Sequence, residues 1–70
     1  MGKEEKLAIL KSCVGILSFL EQEMRQTFEY AKEGIEENNI NLVIGGLCGL
    51  EQINQRIKSI YDMMVFVQRL

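Results

Sequence analysis

The sequence predicts an all-α antiparallel two-helix hairpin, coiled-coil-like in its spacing, and three observations predict it. Two apolar ladders of seven-residue period run along the chain, and a polar stretch, Glu36, Glu37, Asn38 and Asn39, divides them. When the chain is folded back near Asn39, residue i faces roughly residue 78 minus i, and the two ladders match layer by layer. In that register Ile35 meets Val43, Phe28 meets Leu50 and Met24 meets Ile53; Leu17 meets Ile60, Val14 meets Met64 and Leu10 meets Val67. Seventy residues allow a single domain, 1-70, which buries only about 60% of its unfolded surface. A lone hairpin of that size needs something else to complete its core.

Helix one is expected over about 3-37. Its ladder is Leu7, Val14, Phe28 and Ile35, interleaved with Leu10, Leu17, Met24 and Ala31. Gly15 and Gly34 each cost this helix about 1 kcal/mol relative to alanine. Glu33, Glu36 and Glu37 sit where the helix dipole favours positive charge, a conflict that a following helix N-terminus relieves.

The turn is expected over about 38-41, with Asn39 or Asn41 capping the next helix. Helix two is expected over about 41-69, its ladder being Val43, Leu50, Ile57 and Met64 with Ile53, Ile60 and Val67. Gly45, Gly46 and Gly49 remove about 3 kcal/mol of helix propensity near its start, so that segment must gain from packing. A helix continuous through the glycines is the leading expectation, beside a break near Gly45 or a short separate helix before Leu47. In the expected register the glycines lie across from Phe28, Ala31 and Lys32, where bare backbone admits a close neighbour.

Composition bounds the function. The chain is 47% apolar and 26% charged, with no proline, which suits long helices. A net charge of -2 leaves no broad basic surface, which removes the phosphate attraction that dominates nucleic-acid affinity. With no histidine and two cysteines, a four-ligand zinc site cannot be assembled within the chain, and no cofactor is expected. Cys13 faces a position near 65, far from Cys48, so both are expected as small buried apolar residues rather than a disulfide. That pattern fits a reducing, cytoplasmic setting.

The charged N-terminal residues do not read as a signal peptide, and Lys6 breaks the myristoylation pattern that Gly2 begins. The most apolar windows, Cys13 to Leu20 and Ile40 to Leu50, fall short of the ~20 residues a membrane helix needs, so a soluble protein without membrane insertion is expected. Catalysis is not expected either. No nucleophile stands beside a base, and the segment Gly45-Gly46-Leu47-Cys48-Gly49 lacks the lysine of a phosphate-binding loop.

Apolar residues left over from the ladders are the best functional clue. On helix one Ile9, Ile16 and Phe19, with Cys13 and Leu20 beside them, form a second stripe. On helix two Tyr61, Met63, Val65, Phe66 and Leu70 lie off the ladder at the end that faces Ile9 and Ile16. A hairpin has one internal interface, so Ile9, Ile16, Phe19, Leu20, Tyr61, Met63 and Phe66 are expected to bind a protein partner. Burying six such side chains is worth on the order of 10 kcal/mol before association costs. Self-association into a homodimeric four-helix bundle would cover the same residues. Glu21 is the one charge on the expected seam, opposite Ile57, where Arg56 or Lys58 could reach it. Glu21 and Arg56 are therefore expected to set register.

Two segments carry a family resemblance: Leu50-Glu51-Gln52-Ile53-Asn54-Gln55-Arg56-Ile57-Lys58-Ser59-Ile60-Tyr61 and the turn Ile35-Glu36-Glu37-Asn38-Asn39. With the two amphipathic helices around them, the chain resembles the YscE-like small co-chaperones of bacterial type III secretion needle subunits. The glycines from Gly45 to Gly49 depart from that pattern. The resemblance implies a cytoplasmic chaperone role in protein transport, in which the hairpin binds a helical-repeat co-chaperone. Together the two would keep an aggregation-prone needle subunit monomeric before export.

Overall fold

In the computed structural model, which describes residues 2-70, helix α1 spans Lys3–Glu36 and helix α2 spans Ile40–Arg69. The two pack antiparallel as the expected hairpin; Met1 lies outside the described residues. α1 opens on Gly2 without a side-chain cap, and Glu4 and Glu5 in its first turn complement the helix dipole instead. α2 runs unbroken through Gly45, Gly46 and Gly49 and begins one residue before the expected Asn41.

Two asparagines make the connection, each with its own task. Asn38 takes the left-handed conformation, φ 54°, which asparagine tolerates better than most residues. With Asn38 there, its backbone N–H donates to the Ile35 carbonyl at 3.3 Å, and the Asn39 N–H donates to the Gly34 carbonyl at 2.8 Å. That pair of bonds satisfies carbonyls the helix end would otherwise leave free. The Asn39 side chain then turns forward, its Oδ1 accepting from the Leu42 N–H at 3.2 Å to cap α2.

The hairpin is a rod of 54 × 15 × 9 Å with a radius of gyration of 16.1 Å. A compact globule of this length would measure about 11 Å. A rod of two helices has no interior beyond its single seam. Among the described residues, Cys13, Leu20, Ala31, Ile53 and Val67 are the buried apolar side chains, against fifteen exposed large ones.

On α2 the seam is the expected ladder with Gly46 added to it. On α1 it is rotated by one position from the expectation. Leu10, Leu17, Met24 and Ala31 do face α2, but the alternate layer is Cys13, Leu20, Thr27 and Gly34 rather than Val14, Glu21, Phe28 and Ile35. Leu7, Val14, Phe28 and Ile35 are more than half exposed. In heptad letters, a denotes Leu10, Leu17, Met24 and Ala31 with Val43, Leu50, Ile57 and Met64. Position d denotes Cys13, Leu20, Thr27 and Gly34 with Gly46, Ile53, Ile60 and Val67.

Small residues decide the rotation. A Cβ on Gly46 would lie 2.9 Å from Ala31 Cβ and 3.0 Å from its backbone N. One on Gly49 would lie 2.8 Å from Thr27 Cγ2, and one on Gly34 2.8 Å from Val43 Cγ2. The helices therefore approach most closely in the half next to the turn, where a Phe28 or Ile35 side chain could not be seated between them. Ala31 lies against Gly46 and Gly34 against Val43, so residue i is level with residue 77 minus i, within one of the expected register. The buried Cys13 thiol lies 3.8 Å from the Met63 sulfur in the half away from the turn.

Candidate functional site

The rotation of α1 moves the exposed apolar surface. In an antiparallel pair, the e positions of both helices flank one side of the seam and the g positions the other. The e positions are Leu7, Val14, Glu21, Phe28 and Ile35 on α1, with Leu47, Asn54, Tyr61 and Gln68 on α2. These are mostly apolar, and Leu7, Val14, Phe28, Ile35, Leu47 and Tyr61 are all between 53% and 66% exposed.

The side of the seam beneath them is open as well. Six of the eight d residues are buried, whereas every a residue except Ala31 keeps part of its surface in solvent. The a side chains lean towards the e flank, so the two sets merge into an apolar strip along the length of the rod. An open hollow of about 540 Å³ lies on this flank among Met24, Phe28, Leu50 and Asn54. A second brings Val14, Leu17, Glu21, Ile57 and Tyr61 together. Contiguous exposed apolar surface on this scale usually marks a contact site.

The opposite flank is more closed. Arg56 reaches Glu23 across it at 3.8 Å, and Cys13 and Met63 meet there. Towards the open end Ile16, Phe19, Met63 and Phe66, between 45% and 63% exposed, make a shorter patch on that side, with Ile9 half-buried at its edge.

Of the expected partner-binding residues, Ile9, Ile16, Phe19, Met63 and Phe66 therefore share one side. Leu20 is 5% exposed and belongs to the seam, because it is a d residue of the ladder that α2 selects. Tyr61 lies on the other flank, beside Val14 and Glu21. Glu21 is likewise displaced from the seam. Its carboxylate accepts from Arg25 one turn along the same helix at 2.8 Å, with both groups largely in solvent, and Arg56 pairs with Glu23 instead. Both cysteines are free; Cys13 is buried as expected, whereas Cys48 is exposed because it falls on the outer face of α2.

The spacing of large apolar residues does not reveal the long strip, because it assigns the α1 half of it to the core. The signal that locates it is steric. Thr27, Ala31 and Gly34 match Gly49, Gly46 and Val43 level by level, and only small residues allow that spacing. Among the described residues no three His, Cys, Asp or Glu side chains gather as a metal site, and no helix is long and apolar enough to cross a membrane. Compared with known proteins, the chain matches no family model, no curated protein and no solved structure at a significant level.

Proposed function

We propose that the chain is a protein-binding module, non-catalytic, whose a/e flank is covered by helices of a partner. One observation carries this reading: the a layer of the seam is left half open, and the residues beside it are apolar instead of charged. A hairpin that worked alone would carry solvated side chains at positions such as Leu7, Val14, Phe28 and Leu47. Helices are the fitting partners, because a straight strip along two antiparallel helices has the ridges and grooves into which further helices pack.

The likeness to needle-subunit co-chaperones gives this reading a specific form. There a cytoplasmic helical-repeat co-chaperone covers the shorter patch of Ile16, Phe19 and Phe66, and the two proteins together keep the secreted subunit monomeric. Co-purification from the native host with identification by mass spectrometry tests that form.

Phe28→Glu tests the module itself. Phe28 is 53% exposed and contributes little to the seam, so helicity by circular dichroism should survive while association through the flank falls at least tenfold. Association unchanged by this charge would remove the flank from the function.

A further inference from the structure

Resting on the reading of the a/e flank as a contact surface, we propose that the helices covering it are those of a second copy of this chain. In the resulting twofold four-helix bundle, α1 packs on α2 of the other copy and both turns lie at the same end.

Size is the first argument. The strip runs the length of a rod whose wide face is 54 × 15 Å in outline, roughly 800 Å², so a face-to-face pair has room for the ~800 Å² per partner of a standard stable interface. A twofold axis along the rod sets two identical strips against each other over their full length.

The charges at the edge of the strip choose the orientation. Heptad position b lies just outside e, and on α1 it carries Lys11, Ser18, Arg25 and Lys32; on α2 it carries Ile44, Glu51, Lys58 and Val65. With the turns together, α1 of one copy faces α2 of the other at the level set by 77 minus i. Arg25 then stands at Glu51 of the second copy, and Glu21 within a turn of its Lys58. Lys32 and Lys11 fall level with Ile44 and Val65, whose apolar side chains, 51% and 44% exposed in the single hairpin, would be covered by the lysine stems. That placement gives a use to two apolar residues on an otherwise polar edge.

With the turns at opposite ends, α1 faces α1. The strip centres near position 21, so Lys11 would meet Lys32 and Glu21 would meet its own copy. On α2 Glu51 would then meet Lys58, but the like charges on α1 oppose that attraction, whereas the same-end arrangement makes attractive rim pairs only. The acidic residues nearest the turn, Glu33 and Glu36, are exposed on α1 outside the a and e positions, so physiological salt screens their repulsion between copies.

The test combines sedimentation equilibrium with one distance. The expected result is a species of twice 8.1 kDa at micromolar concentration. A spin label on Glu37→Cys, in a Cys48→Ser background, should report a separation below about 35 Å between turns at one end, given helix spacings of about 8–10 Å. Opposite ends would place the labels about 48 Å apart along the axis, at 1.5 Å per residue, and would overturn the pairing. Arg25→Glu and Glu51→Arg should each weaken the dimer about tenfold, and the double variant should restore it, since each dimer holds two such pairs. Failure of the double variant to restore it overturns the rim assignment. A folded monomer that binds a hydrophobic dye, with binding lost in Phe28→Glu, overturns the second copy while leaving the contact flank in place. A folded monomer without dye binding overturns both.

Discussion

Alanine at Gly45 and alanine at Gly46 should move the melting temperature in opposite directions, although the two positions are neighbours in one helix. Both changes recover about 1 kcal/mol of helix propensity. At Gly45 the new methyl meets nothing within 4 Å, so the gain stands alone, and a domain of this size should melt about 4–8 °C higher. At Gly46 the methyl would lie 2.9 Å from Ala31 Cβ, 3.0 Å from Ala31 N and 3.1 Å from Ala31 Cα. Carbon atoms pack comfortably at about 3.5–4.0 Å, and backbone atoms cannot turn aside, so the helices must part by roughly half an ångström or more. Overpacking of that kind costs about 1–3 kcal/mol, and the same movement loosens the contacts at Gly34 and Gly49. The net expectation for Gly46→Ala is a loss of about 1 kcal/mol, which sets the two variants about 2 kcal/mol apart. Thermal melts followed by circular dichroism at one fixed chain concentration measure the difference, with Gly15→Ala as a second open-space control. If Gly46→Ala stabilises as much as Gly45→Ala, the helices do not meet at Ala31 and the rotation of α1 described above is wrong.

Further outcomes follow from the turn, the thiols and Glu21. Asn39→Ala removes the acceptor for the Leu42 N–H and should cost about 1 kcal/mol in the same melts, with Asn39→Asp restoring most of it; an unchanged melt would deny the cap. Under native conditions a thiol reagent should modify Cys48 at once, and Cys13, 2% exposed, only as the hairpin opens. Two equally fast thiols would contradict the seam. Glu21→Ala should change stability by no more than about 0.5 kcal/mol, the worth of an exposed pair one turn apart; a larger effect would restore Glu21 to the interior.

The hairpin, its turn, the α2 ladder and the register to within one residue were all legible in the sequence, because each rests on the period of large apolar residues or on asparagine at a helix end. The rotation of α1 was not. Leu10, Leu17, Met24 and Ala31 belong to two overlapping ladders, one completed by Leu7, Val14, Phe28 and Ile35, the other by Cys13, Leu20, Thr27 and Gly34. Hydrophobic content favours the first, whereas close packing against Gly46 and Gly49 selects the second. The consequence for the candidate site was direct. Phe28 and Val14 moved from core to surface and Leu20 from surface to core, while Ile16, Phe19, Met63 and Phe66 stayed outside, since neither ladder includes them.

The link between the helices leaves no slack: Glu37, Asn38 and Asn39 are all that separates them, and each backbone N–H there is already committed to the end of α1, while the Asn39 carbonyl and side chain accept from α2. Adding or deleting a single residue would turn α2 by about 100° about its axis, carrying Val43, Leu50, Ile57 and Met64 out of the seam and the glycines away from Ala31. Substitutions at the bend can thus be absorbed when the new side chain suits the cap, but changes in its length cannot. Loop-length variation, tolerated in most surface connections, is closed to this one.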